Sequence, residues 1–470
     1  MGSPGNDVLT RFAFVCIHGV GMQQQGDTQT AVADSFAAGV ARLGGEYTTL
    51  PDGVSDGDGV SDGDRVLRGR AAIPGQQPFV AEFHDGWWDE RAAVPAARNV
   101  LGWVLRVVPF ALWSTAALWA WDLEAIRGAG ARRSPLPLPF TAFVGMLGLV
   151  CALPLIGLVL LGAGIVSLFS RSVAARTRTV ITRFVGDAWS YRSDGLDDSV
   201  IAPLRATTAR ARATADAVVL VGHSLGGELA RRVAITEDVD ACVFVGSGEA
   251  QLGFFRMLRR SRWLPVALWG FLVVFPLVMS AMVGSGIGVV VEMVRAVAVT
   301  VEHMVAALSA ATRTEVTPAI LALDPSAVLD AALRDLAVTL VGGAVLFVVA
   351  LLVTKLVRRP EDIEQQPRCE TFAVKSLVDP VSFGPTAQGA FVRYVPISAR
   401  RPWTEHVTYF RKPEAGVVLV ESVVGTAAVE GAPALPRLSW GAEAAGVVAA
   451  FVLIGATWAA GRWLATLVGL

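Results

Sequence analysis

The sequence predicts an α/β fold: a mostly parallel sheet with helices on both faces, interrupted by transmembrane helical hairpins, with about five spanning helices in all. Three observations lead there. Short apolar, β-branched runs alternate with segments of helical character, among them Arg11–Ile17 (RFAFVCI), Val218–Val221, Ala241–Val245 and Thr371–Val378. One of these runs passes through Gly222-His223-Ser224-Leu225-Gly226 straight into a helical stretch. Of the 470 residues, 53% are hydrophobic and only 17% charged, with a mean hydropathy of +0.52. That excess is gathered into blocks near or above the ~20 residues a spanning helix needs.

The N-terminal MGSPGNDVLTRF has no apolar core of signal-peptide type, and Asn6 stands where a myristoylation pattern wants Ser or Thr. The strand Arg11–Ile17 runs into His18-Gly19-Val20-Gly21, a tight glycine-containing turn, and a helix follows over Thr28–Leu43. The run Asp52–Asp64 repeats GVSDGD but lacks the ligand pattern of a calcium loop, so it reads as a surface loop. Phe79–Trp88 reads as another early strand, with His84 a packing residue. The apolar blocks are Trp103–Trp121 (interrupted by Arg106 and Pro109), Phe140–Phe169, Leu264–Val291, Leu336–Val357 and Ala445–Val468.

These blocks divide the chain. Water-compatible pieces at 1–100, 170–262 and 358–441 are separated by hairpins at 101–169 and 263–357, and a last spanning helix occupies 442–470. Two paired blocks return the chain to the side it left, so all three pieces can meet in one domain. Arg171, Arg176, Arg259, Arg260, Arg358 and Arg359 crowd that side, whereas Arg127, Arg132, Arg133, Arg295, Arg313 and Arg334 lie opposite. The positive-inside rule then makes this a multi-pass plasma-membrane protein with the soluble domain in the cytoplasm. Gly284-x-x-x-Gly288 fits helix packing, Arg106 and Arg462 can snorkel, and Val294–Arg313, with Glu302 and His303, reads as an amphipathic interfacial helix.

The order strand, G-x-S-x-G, helix is the context in which a nucleophile elbow makes physical sense. The turn must lift the Ser224 hydroxyl above the sheet edge, and Gly222 and Gly226 remove Cβ atoms that would clash with so tight a backbone. GHSLGG resembles the nucleophile site of lipases and esterases of the α/β-hydrolase superfamily. The resemblance covers the soluble pieces, about half of the chain, and implies a chain order of Ser, acid, His. Only His303 and His406 follow Ser224, and His303 falls between two apolar blocks, which leaves His406, in TEHVTYF. The acid belongs at the end of a strand between them: Asp379, in Asp379-Pro380-Val381, with Glu249 the runner-up and Glu361 and Asp362 less suitable. The backbone N–H groups of Leu225 and Val20 would form the oxyanion hole, with His18 orienting the loop.

Cys16, Cys151, Cys242 and Cys369 show no metal or disulfide spacing and read as structural thiols, and a net charge of −1 makes no case for nucleic acid. No metal or organic cofactor is implied. The expected function is that of a membrane-integrated serine hydrolase, cleaving a lipophilic acyl ester that enters from the bilayer by a Ser-His-Asp acyl-enzyme mechanism. Two other readings stand beside it: an inactive membrane scaffold built on the same fold, and a transporter with a regulatory soluble domain.

Overall fold

The computed structural model describes residues 9–19, 23–51, 66–88, 196–250, 289–291, 293–310, 367–376, 381–384, 390–395 and 404–425, and isolated positions that include Leu118, Asp122 and Asp379. The chain divides into two compact units. One comprises 1–146, 157–265 and 360–443, and the other 147–156, 266–359 and 444–470.

The first unit carries one eight-stranded sheet. In chain order its elements are β1 (Thr10–Ile17), α1 (Asp27–Arg42), β2 (Glu46–Leu50), β3 (Leu67–Ala72), β4 (Phe79–Gly86), α2 (Leu196–Thr214), β5 (Ala217–His223), α3 (Leu225–Thr236), β6 (Ala241–Val245), β7 (Glu370–Lys375), β8 (Phe391–Tyr394), α4 (Glu405–Thr408) and α5 (Pro413–Val424). The spatial order is β2-β3-β4-β1-β5-β6-β7-β8. Every neighbouring pair is parallel except those of β3, which runs against both β2 and β4.

The central strands are apolar on both faces because both faces are covered. Phe14 and Cys16 of β1 join Val32, Phe36, Leu419 and Val420 in the core beneath α1 and α5. Ala13, Val15 and Ile17 point the other way, into a second core with Leu204 of α2 and Leu229 and Val233 of α3. In the first core the Phe14 and Phe83 rings stack at 5.0 Å. α1 and α5 meet there through small residues: a Cβ on Gly39 would fall on the Gly416 backbone, and one on Gly416 on the Ser35 carbonyl.

Strand registers align the C-terminal ends of β1, β5, β6 and β7. Ile17 lies beside Gly222, His223 beside Val245, and Val245 beside Val374. Loops leaving these strands emerge on one edge, where parallel sheets hold their ligands. β7 stops at Lys375 rather than running to Val378. The Ser382 hydroxyl turns the chain back at this point, donating to the carbonyls of Ser376 and Asp379 at 3.2 and 3.1 Å.

The transmembrane expectation is overturned. Among the described residues no helix is long and apolar enough to cross a membrane. The 19-residue α2 carries Asp197, Asp198, Arg205, Arg210 and Arg212. The first block, Trp103–Trp121, was expected to carry the chain away from the sheet's side. Leu118 and Asp122 are instead buried in protein, and the Asp122 carboxylate pairs with Lys375 of β7. An apolar helix that packs on a sheet has the same composition as one that faces lipid. The lack of a spanning helix among the described residues contradicts the hairpins at 101–169 and 263–357, the terminal spanning helix at 442–470 and the multi-pass plasma-membrane placement. Most residues of the other blocks lie outside the described residues, as do Gly284, Gly288, Arg106, Arg462 and the Asp52–Asp64 run.

In the second unit, residues 293–310 are helical. Its apolar side chains Met293, Val294, Val297, Val301, Met304, Val305 and Leu308 are exposed on more than one side, and the interfacial placement expected for this stretch falls with the membrane assignment. Cys16, Cys242 and Cys369 are free thiols, and the last two sit 3.4 Å apart.

Asp85, at the end of β4, accepts the Gly26 N–H at 2.8 Å and so ties β4 to the start of α1. Burial, with Asp27 adding repulsion, pushes its carboxyl up to about 6. The folded state thus holds this proton more tightly than the unfolded chain. The stability contributed by protonation is complete below the ordinary carboxylate range and is lost as pH rises through about 6. Asp85→Asn keeps an acceptor for Gly26 and removes the half-buried charge. It is expected to raise the melting temperature at pH 7.5 by about 2–4 °C and to match the parent near pH 4 in the same thermal scans.

Candidate active site

The C-terminal edge of the parallel sheet assembles its chemistry from three distant stretches of chain. β5 ends at His223 and α3 begins at Leu225, leaving Ser224 alone at the corner. Ser224 has φ 56° and is the one non-glycine residue with positive φ among the described residues. That conformation is costly for an L residue and persists where the surroundings enforce it. Here they do: the Ser224 N–H donates to Val245 O at 3.1 Å, while its carbonyl accepts from Gly227 and Gly248. A Cβ on Gly222 would fall on Gly226, and one on Gly226 on the Ile17 carbonyl. Both glycines are required by close approach, as the sequence suggested.

The loop after β1 reaches the same corner. A Cβ on Gly19 would overlap the Ser224 Cβ and come within 3.1 Å of its Oγ. His18 is buried, with its ring stacked on Trp88 at 4.8 Å and tilted against Trp87 at 4.4 Å. Its Nδ1–H donates to Gly19 O at 2.8 Å, and Trp88 Nε1 donates to the His18 carbonyl at 3.0 Å. These contacts hold the loop rather than offer a proton carrier. Val20, the expected second oxyanion donor, lies outside the described residues. Leu225, the other expected donor, opens α3, where the N–H groups lack intrahelical acceptors and the helix dipole favours negative charge.

His406 and Asp379 come together. The Nδ1–H of His406 donates to Asp379 Oδ2 at 2.9 Å, which leaves Nε2 of the neutral ring as the basic nitrogen. Asp379 is 1% exposed, and its carboxylate accepts from two further donors. Tyr409 O–H donates to Oδ2 at 2.8 Å and the Val381 N–H to Oδ1 at 3.0 Å. Burial, then the Asp379 charge, pushes the Tyr409 phenol well above its ordinary value, so it stays a donor. Gly246, with φ 55°, lies under the Tyr409 ring, which any Cβ there would strike.

Glu249, the runner-up acid, is engaged elsewhere: its carboxylate lies 3.4 Å from Arg231 Nε, in a cluster with Glu228. His303 Nδ1–H donates to Val299 O of its own helix at 2.8 Å. His84 faces Glu82 across 3.8 Å within β4. Glu361 and Asp362 lie outside the described residues.

Two contributors escaped sequence reasoning. His223 donates Nε2–H to the backbone carbonyl of His406 at 2.7 Å, with ring centroids 4.9 Å apart. Burial, then His406, pushes His223 down to about 3, so it is a neutral brace. Tyr409 follows His406 by three residues, a spacing that puts both side chains on one side of a helical turn. Its bond to Asp379, 30 residues away, has no local signature. Among the described residues no cluster of three or more His, Cys, Asp or Glu side chains is placed to hold a metal ion. No family model matches the chain, and neither a curated protein nor a solved structure matches it.

Proposed function

We propose that the protein is a serine hydrolase that cleaves acyl esters through a covalent intermediate on Ser224. The observation that carries the reading is a strained, positive-φ serine at a strand-to-helix corner, next to His223, whose ring lies 4.9 Å from an imidazole held by a buried carboxylate. A serine hydroxyl is a weak nucleophile until a base takes its proton. His406 Nε2 accepts that proton as Ser224 Oγ bonds to the ester carbonyl carbon. Asp379 fixes the tautomer and stabilises the imidazolium. The Leu225 N–H, aided by the loop that follows His18, stabilises the tetrahedral oxyanion. Collapse breaks the ester C–O bond, and His406 returns its proton to the departing alcohol. Water then repeats the sequence and releases the acid. Among the described residues no helix is long and apolar enough to cross a membrane, so nothing supports entry of the substrate from a bilayer, and the substrate class is an acyl ester.

The test is fluorophosphonate labelling followed by peptide mass mapping. One equivalent on the peptide containing Ser224 is expected. A folded protein that takes up no label, or takes it elsewhere, overturns the reading in favour of a catalytically silent module.

A further inference from the structure

The acid of the triad sits on a short loop that leaves β7 at Lys375 and returns at Gly384. Both ends are gripped by one carboxylate from far away in the chain. Lys375 Nζ donates to Asp122 Oδ1 at 2.5 Å and to the Gly384 carbonyl at 2.5 Å. The Gly384 N–H donates to Asp122 Oδ2 at 3.0 Å, and Tyr394 O–H of β8 donates to Oδ1 at 3.1 Å. Leu118, one helical turn before Asp122, packs on Gly384. Asp122 and Lys375 are both buried, and neither has a part in the chemistry above. Inside the loop, Ser382 ties Ser376 to Asp379, so a shift at either end is transmitted to the acid.

We propose that Asp122 is a positioning residue of the active site, clamping both ends of the 375–384 loop and thereby setting how Asp379 meets His406. Its kinetic side rests on the serine hydrolase reading. The charges that face the Lys375 ammonium are Asp122 in direct contact, with Glu249 and Asp379 acting at longer range. Removing the Asp122 charge leaves a buried ammonium that competes with His406 for Asp379. Buried pairs behave this way: loss of one partner strands the other, whereas loss of both leaves no orphan charge.

The test follows the rate of fluorophosphonate labelling of Ser224 from pH 5 to 9, beside hydrogen exchange of residues 376–384, in three proteins. Asp122→Asn is expected to lower the plateau rate about 30-fold and to move the acid limb of the profile to lower pH. The double variant Asp122→Asn, Lys375→Met should fall between it and the parent, about 5-fold down. Exchange at 376–384 should be faster in both. A purely structural role would lower the melting temperature and leave the limb in place, which would overturn the proposal, as would parental rates in Asp122→Asn. If that variant does not fold, the double variant decides, since it strands no charge: parental labelling and exchange there overturn the clamp. If the parent protein itself takes no label, the hydrolase reading fails on its own. Exchange then decides the clamp, with faster exchange supporting it and unchanged exchange overturning it.

Discussion

Ser224→Ala and His406→Ala should each lower ester turnover by about 10⁴-fold or more, and combining them should cost scarcely anything further. The two act as a unit. Without the hydroxyl no acyl-enzyme forms, and without the imidazole the hydroxyl keeps its proton. Asp379→Asn should fall short of that loss, at about 10²–10⁴-fold. The amide must present its NH₂ either to His406 and Tyr409 or to Val381, and all three of those partners are donors. Either orientation sets donor against donor. Tyr409→Phe removes one of three bonds and should cost only several-fold. Steady-state hydrolysis of a p-nitrophenyl ester by the four single variants and the double checks the set. A double variant worse than the parent by the product of the two single effects would show that the residues work separately.

Gly416→Ala should destabilise the fold by about 3 kcal/mol or more, against the sign that helix propensity gives. In an exposed helix interior this exchange gains roughly 0.5–1 kcal/mol. At this crossing the added methyl would fall on the Ser35 carbonyl, with the Gly39 N only 2.8 Å away. Those are backbone atoms of α1 and cannot rotate aside, so the helices must part and open the packing of Val418 and Leu419 on Phe36. Gly425→Ala is the control. It has φ 82° with nothing within 4 Å, so it pays only the backbone cost of about 1 kcal/mol. Chemical denaturation of both variants tests the contrast. A Gly416→Ala protein as stable as its parent would mean that the helices do not meet this closely.

The central strands were legible because their burial is written in their composition. RFAFVCI, AVVLVGH and ACVFV can sit only between two covered faces. The elbow was legible for a different reason, since its geometry demands glycine and serine at fixed positions. β2 and β3, as EYTTL and LRGRAA, carry charge and glycine and announce nothing. Their place at the sheet margin needs no apolar alternation. Asp122 could not have been found: it meets Lys375 across 253 residues, and no local pattern encodes such a pairing. The membrane assignment failed at the same point. Composition registers that the block around Leu118 is apolar, but not that Leu118 and Asp122 are buried in protein.

The pairing of β6 with β7 has a consequence in time. The two strands are adjacent and parallel in the sheet, yet residues 246–369, 124 in all, separate them along the chain. At synthesis rates of about 5–20 residues per second, the edge of β6 waits roughly 6–25 s for its partner. During that interval ACVFV presents unpaired amides and carbonyls from a strand without charge or proline, the profile of a segment that pairs with the wrong neighbour. The yield of native protein should therefore depend on how quickly ribosomes traverse the insertion, and slow translation there should favour aggregation of nascent chains.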